Sequence, residues 1–187
     1  MVSKLGNVHV ALLRGINVGG KNKLPMAELV RLFRAQGCSE VGTYIKSGNV
    51  VFAVDPKRVR DLPARVSQEL RARLGLNVPL VLRTAAEFKR AAKSNPFLAA
   101  GIEPTQLHVA FLAERPSKSA TAALDPQRSP GDAFELVGRE LYLHLPNGVA
   151  RTKLTNAYFD ATLATTSTVR NWRTVQELCA RVDALSA

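Results

Sequence analysis

A repeated apolar hexapeptide restricts the fold of this chain more than any other feature of its sequence. VHVALL at Val8–Leu13 returns as LHVAFL at Leu107–Leu112, with four identical positions. Short apolar runs bounded by turn residues are typical of buried or half-buried β-strands. Because the second copy opens a similar series of turns and strands, the sequence predicts an internal duplication, with a chance strand match as the alternative.

The first copy begins a β-α-β-β-α-β pattern, which is the ferredoxin-like split unit. Pro25 suits the first turn of a helix, and Gly37 is a natural stop for it. The turn residues at 46–49 predict a hairpin between the two strands that follow. The predicted elements are a strand at 8–13, a helix from 25 to 37, strands at 41–45 and 50–54, a helix at 59–74, a strand at 78–82 and a short helix at 85–93.

A loop-like tract at 95–104 separates the second copy from the first. We therefore predict an α+β protein of two ferredoxin-like (βαββαβ-type) halves in tandem, with mainly antiparallel sheets. The predicted domains are a basic half at 1–94 and a modified half with C-terminal helices at 105–187. In the second half the predicted elements are a strand at 107–112, a small helix at 118–124, strands at 133–137 and 141–145, and helices at 154–163 and 172–184.

The excess positive charge lies in the first half. Residues 1–94 contain 17 Lys and Arg residues against 6 Asp and Glu residues, and residues 95–187 contain 9 of each. The net charge of +11 points to an anionic partner, most commonly nucleic acid, because phosphate neutralisation releases counterions and dominates affinity. Arginines that merely solvate the outer face of the helix at 59–74 would explain part of the same excess.

A glycine- and lysine-rich loop follows the first strand, in the sequence RGINVGGKNKLP at 14–25. Its glycines allow positive φ, and its amide and ammonium groups are donors suited to an anion. The loop meets G-x-x-x-x-G-K but has Asn22 where a nucleotide-hydrolysing P-loop has Ser or Thr to hold magnesium. The pattern therefore favours phosphate binding without hydrolysis, and a solvated basic turn is the alternative.

A second concentration of polar groups lies at 145–173, where Arg151, Lys153 and Arg170 could form a joint anion site. Its hydroxyl and amide residues are also good helix caps, with Thr155 or Asn171 in that role. Trp172 is either a base-stacking side chain or a buried core residue.

We predict a protein that binds a phosphate-bearing partner, most plausibly DNA or RNA, through backbone contacts on the basic half. The alternative is an enzyme or sensor for a small anionic ligand, such as a nucleotide or phosphorylated metabolite, bound between the halves. A third interpretation is a scaffold whose polar motifs satisfy one another internally. The candidate binding residues are Arg14, Asn17, Gly19, Gly20, Lys21, Asn22, Lys23, Lys46, Ser47, Asn49, Arg151, Lys153, Thr155, Asn156, Arg170, Asn171 and Trp172.

Enzyme and metal motifs are missing from the sequence. His9, His108 and His144 lie inside apolar strands without ligand spacing, and Ser47 has no recognisable base. The two cysteines belong to no C-x-x-C pattern, so no zinc site and no cofactor is expected. No apolar run reaches membrane-spanning length and the first residues lack the long apolar region of a signal peptide, which together favour a cytoplasmic protein.

Three stretches resemble the bacterial family called domain of unknown function 1697. They are ALLRGINVGGKNKLPMAEL at 11–29, TYIKSGNVVF at 43–52, and LPNGVARTKLTN with TVRNW in the second half. The resemblance covers nearly the whole chain and implies an α+β protein of two ferredoxin-like halves, with no activity attached. Its motifs map onto Arg14, Gly15, Asn17, Gly19, Gly20, Lys21, Asn22, Lys23, Ser47, Gly48, Asn49, Lys153, Leu154, Thr155, Asn156, Arg170, Asn171 and Trp172.

Overall fold

The two apolar hexapeptides form inner strands of two separate antiparallel sheets. The computed structural model describes residues 7–186, and each sheet in it has four strands. An α+β protein with mainly antiparallel sheets is therefore confirmed. Within the described residues, 7–90 and 178–186 form one compact unit and Ala91–Glu177 form the other. The predicted domain at 105–187 differs from this division, because the end of the last helix belongs to the first unit.

The first sheet has the strand order β2-β3-β1-β4. All six residues of β1 are buried, as its apolar sequence predicts. Helix α1 begins directly after Pro25, and helix α3 ends at Gly75, whose φ of 65° is the left-handed conformation of a helix C-cap. The elements of this part of the chain are β1 (Val8–Leu13), α1 (Met26–Ala35), β2 (Ser39–Tyr44), β3 (Asn49–Ala53), α2 (Pro56–Val59), α3 (Leu62–Leu74), β4 (Leu80–Thr84) and α4 (Ala85–Lys93).

The second sheet repeats this order as β6-β7-β5-β8. Short 3-10 turns at Pro96–Ala100 and Pro104–Gln106 lead into it. Its last strand is missing from the sequence prediction, which placed only hydroxyl-rich chain before Trp172. The elements are β5 (Leu107–Leu112), α5 (Lys118–Ala122), β6 (Ala133–Val137), β7 (Glu140–His144), α6 (Asn156–Leu163), β8 (Ser167–Asn171) and α7 (Trp172–Ser186).

The strand β8 makes the two sheets equivalent. It pairs antiparallel with β5, and β4 pairs in the same way with β1. The register places Arg83 opposite Val10 in the first sheet and Arg170 opposite Val109 in the second. In each sheet the strand formed by the repeated hexapeptide therefore lies between two others, which are β3 and β4 in the first sheet and β7 and β8 in the second.

Each unit has its own apolar core on one face of its sheet. In the first, Ala11, Leu13 and Phe52 of the sheet pack with Phe33 of α1 and Val66 of α3. In the second, the sheet residues Ala110, Leu112 and Leu141 pack with Phe159 and Leu163 of α6. The buried helix residues follow the helical spacing of the sequence, and this pattern explains why the helices were predictable.

Candidate functional site: two basic loops of the first unit

The glycine- and lysine-rich loop is a small hairpin. Val18 and Lys21 form an isolated antiparallel bridge, and the Lys21 N–H donates to the Val18 carbonyl at 3.0 Å. Gly19 and Gly20 at its tip have φ values of 57° and 75°, as a type I′ turn requires. Helix α1 begins several residues later at Met26, so Lys21 does not lie on its first turn. This geometry differs from that of a nucleotide-hydrolysing P-loop.

The amides of Asn17 and Asn22 hold the loop together. Asn17 Oδ1 accepts from the Leu24 N–H at 2.8 Å, and Asn17 Nδ2 donates to the Leu24 carbonyl at 2.9 Å. Asn22 Nδ2 donates to the Gly15 carbonyl at 2.8 Å. Both asparagines have positive φ, a conformation that Asn tolerates better than most residues. Both asparagine amides therefore donate to backbone carbonyls of the protein, and one of the two Asn22 Nδ2 hydrogens is used in this way.

Asn17 also ties this hairpin to the loop between β2 and β3. Its Nδ2 donates to the Lys46 carbonyl at 2.8 Å, in addition to Leu24. In that second loop Asn49 Nδ2 donates to Ser47 Oγ at 2.9 Å and to the Tyr44 carbonyl at 3.2 Å. Ser47 and Asn49 are thus structural residues of the turn. We name residues 14–24 and 45–48 together the basic loops.

The basic loops expose cations and apolar side chains. Lys21, Lys23 and Lys46 are all exposed, whereas Arg14 is half-buried. Val18 and Ile45 are 64% and 52% exposed, values that are high for large apolar side chains. The loops contain no Asp or Glu, so no carboxylate of their own opposes an anion.

The predicted site residues of the second unit divide into exposed cations and structural residues. Arg151 and Lys153 are exposed. Thr155 Oγ1 caps α6 by accepting from the Tyr158 N–H, and Asn171 Oδ1 accepts from the Thr174 N–H in the first turn of α7. Both residues therefore have the capping role that the sequence offered as an alternative.

Burial removes two of the predicted binding residues from any exposed anion site. Arg170 is 9% exposed, and its Nη1 donates to Thr168 Oγ1 and to the Val169 carbonyl. Burial lowers the pKa of Arg170 to about 10. Trp172 is 2% exposed, so base stacking by this side chain is excluded and the core interpretation holds. Asn156 is half-buried, and its Oδ1 accepts from Ser167 Oγ.

Buried arginines at equivalent positions of the two sheets are a feature that sequence reasoning missed. Arg83 is 1% exposed and donates to the Leu82 carbonyl, as Arg170 donates to Val169. His9 and His108 lie one residue before the paired valines of β1 and β5. An alignment of LRT at 82–84 with VRN at 169–171 was the available signal.

Burial shifts the pKa values of two histidines and one cysteine. Burial lowers the pKa values of both His9 and His108, against smaller opposing effects of the Asn7 carbonyl and Glu87 on His9 and of the Gln106 carbonyl on His108. Burial raises the pKa of Cys38 to about 11, which makes its thiolate scarce at neutral pH.

Residues 7–186 contain no group of three or more His, Cys, Asp or Glu side chains placed to hold a metal ion. None of the helices in the described part of the chain combines the length and apolar character that a membrane span requires.

Two four-stranded antiparallel sheets with equivalent strand orders define the class as an α+β protein with a structural repeat. The family model described as "Protein of unknown function (DUF1697)" matches residues 7–142, and the chain belongs to that family. The conserved bacterial protein SP0830 from Streptococcus pneumoniae has the same fold, with a TM-score of 0.70 and 21% sequence identity over 94% of this chain and 98% of that chain. No curated protein matches the sequence.

Proposed function

We propose that this protein binds nucleic acid through phosphate contacts from the basic loops. The observation that carries the proposal is the presence of three exposed lysines, Lys21, Lys23 and Lys46, on two loops that Asn17 holds together. Phosphate contacts by flexible cations supply affinity without reading sequence. Asn17 uses both of its amide hydrogens inside the protein, so the lysines, the exposed glycine turn and the second amide hydrogen of Asn22 are left for the partner.

Two further observations support this proposal over a small anionic ligand held in the basic loops. The loop tip is exposed at Val18, Gly19 and Gly20, and such a projecting hairpin suits an extended polymer better than an enclosed metabolite. Val18 and Ile45 offer apolar contact to sugars or unstacked bases beside the phosphates. The location we propose is the cytoplasm, in keeping with Cys38 and Cys179 not being joined in a disulfide.

The first prediction concerns the salt dependence of binding. Fluorescence anisotropy with labelled single- and double-stranded DNA and RNA should show affinity that falls linearly in log–log form with salt. In Lys21→Glu/Lys23→Glu the affinity should be largely lost. In Lys21→Gln/Lys23→Gln the slope should fall by about 1.5, because each phosphate contact contributes ~0.7–0.9 to it.

The matched control is Lys93→Gln/Lys118→Gln, which removes two exposed lysines of the second unit. It should keep the parent slope. No binding of any of the four probes at low salt, or an equal loss in the control, would show that the basic loops are not a nucleic-acid site.

A further inference from the structure

Two large apolar side chains are exposed beside the lysines of the basic loops. Val18 lies at the start of the glycine turn, and Ile45 directly precedes Lys46. Asn17 Nδ2 donates to the Lys46 carbonyl at 2.8 Å, so the two loops are joined by residues that directly adjoin Val18 and Ile45. The exposed apolar side chains and the exposed cations therefore lie on the same pair of joined loops.

Neither the backbone nor the packing of Ile45 explains why an isoleucine stands there. Its φ is 48°, a left-handed conformation that is rare for a β-branched residue. Its side chain is exposed and therefore gains little from burial in the folded chain. Strained backbone conformations of this kind cluster at sites that contact ligands. An apolar contact with a partner would give this side chain a role that folding does not.

Tyr44 and Arg181 add a flat surface directly before Ile45 in the chain. Tyr44 is half-buried and Arg181 is exposed, with the Arg181 Cζ 5.0 Å from the centroid of the Tyr44 ring. Aromatic rings and guanidinium groups stack on nucleobases. The faces of the bases are covered by stacking inside a duplex, whereas a single strand exposes them. The surface beside the lysines is therefore suited to bases as well as to phosphates.

We propose that the basic loops bind single-stranded nucleic acid in preference to duplex. The three exposed lysines would contact phosphates, while Val18, Ile45 and Tyr44 would contact unstacked bases. On a duplex the same apolar side chains would meet the charged backbone. This inference rests on the proposed function and names the form of nucleic acid that the site takes.

The test compares probes that share their phosphates but differ in the bases that they expose. Fluorescence anisotropy is measured with labelled oligothymidylate, with its duplex with oligoadenylate, and with an abasic strand of the same length. At one salt concentration the single strand should bind about tenfold or more tightly than either of the other probes. Charge alone would favour the duplex, which has the higher density of phosphates, so this preference is diagnostic of contacts with bases.

Substitution of the exposed apolar residues assigns the preference to the basic loops. Val18→Ser/Ile45→Ser should weaken binding of the single strand by about tenfold and leave binding of the abasic strand unchanged. Its salt slope should equal that of the parent, because the lysines remain. The matched control is Val137→Ser/Val149→Ser, which removes two exposed apolar side chains of the second unit and should bind like the parent. Urea unfolding reports whether the variants remain folded.

The preference for single strands is overturned if the duplex or the abasic strand binds as tightly as the single strand. It is also overturned if folded Val18→Ser/Ile45→Ser binds the single strand like the parent, or loses affinity equally for the single strand and the abasic strand. These results leave the proposed function standing wherever binding still depends on Lys21 and Lys23. Failure of the proposed function has a different signature, in which no probe binds at low salt or the lysine variants bind like the parent, and it would overturn both.

Discussion

Single residues with positive φ shape the basic loops. Gly48 has a φ of 78°, and a Cβ added there would meet Leu13 Cβ at 2.7 Å and Ile16 Cδ1 at 3.0 Å. Gly19 has a φ of 57° but no neighbour within 4 Å of an added Cβ. Alanine at Gly19 would therefore introduce backbone strain alone, whereas alanine at Gly48 would introduce both backbone strain and steric overlap.

Gly48→Ala should destabilise the protein by about 3 kcal/mol, because the backbone strain is joined by overlap with the β1 strand. Gly19→Ala should cost about 1 kcal/mol, for strain alone. Urea unfolding of the two variants measures both values. Equal losses in the two variants would contradict the close approach of Gly48 to Leu13.

Asn17 should matter more than Asn22 for stability. Asn17→Ala removes three hydrogen bonds, to the Leu24 N–H and to the Leu24 and Lys46 carbonyls, whereas Asn22→Ala removes one, to the Gly15 carbonyl. Both positions have positive φ, so the strain on alanine is similar. We expect Asn17→Ala to be about 2 kcal/mol less stable than Asn22→Ala by urea unfolding. The opposite ranking would show that Asn17 does not join the two loops.

At the scale of elements, β1 and β5 place histidines at equivalent buried positions. His9 and His108 are 3% and 6% exposed, and burial lowers the pKa of each below the ordinary value of 6.5. The unfolded chain therefore binds more protons than the folded one as the pH falls below 6.5. The stability contributed by the neutral rings is complete above pH 6.5 and is lost as the pH falls through the lowered folded-state pKa values.

Urea unfolding from pH 8 to pH 5 should accordingly show a decline in the free energy of unfolding below pH 6.5. In His9→Asn/His108→Asn this part of the decline should be absent, because asparagine does not titrate in that range. The comparison concerns the pH slope, so a constant loss of stability in the variant does not affect it. An unchanged slope would mean that neither ring is held neutral by burial.

At the scale of the whole molecule, the last turns of α7 belong to the first unit. Arg181 lies over the Tyr44 ring with its Cζ 5.0 Å from the centroid, and Lys89 Nζ lies 2.5 Å from Asp183 Oδ1. Leu178 and Val182 are fully buried. The chain therefore returns to complete the unit that contains its first strands.

Removal of residues 178–187 should lower the protection of amide hydrogens in the first sheet. The loss of Leu178 and Val182 alone should cost about 3–5 kcal/mol, since both side chains are fully buried. Hydrogen exchange of the β1, β3 and β4 amides measures the effect. Arg181→Ala is the control and should cost under about 1 kcal/mol, because its contact lies at the surface. Full protection of the first sheet in the truncated chain would contradict the division into units.

Local patterns were enough to predict most elements of this fold. The apolar runs of β1 and β5, the caps at Gly75 and Thr84, and the turn before Asn49 all depend on neighbours in sequence. The strand β8 was missed because its residues, STVRN, are mostly polar. It is a strand because it pairs with β5 and because its buried side chains form hydrogen bonds. Ser167 donates to Asp160, and Arg170 donates to Thr168.

The sequence by itself determined the duplicated α+β plan and the location of the excess charge, because periodicity, turn residues and charge count are local properties. Tertiary structure alone decided which candidate side chains are available. Arg170 and Trp172 are buried, and Asn17 and Asn22 are used within their loop, whereas Lys21, Lys23 and Lys46 remain exposed. The physical reason is that the same polar side chain can form hydrogen bonds within its own protein or with a bound partner. Only packing and hydrogen-bond geometry determine which of the two it does.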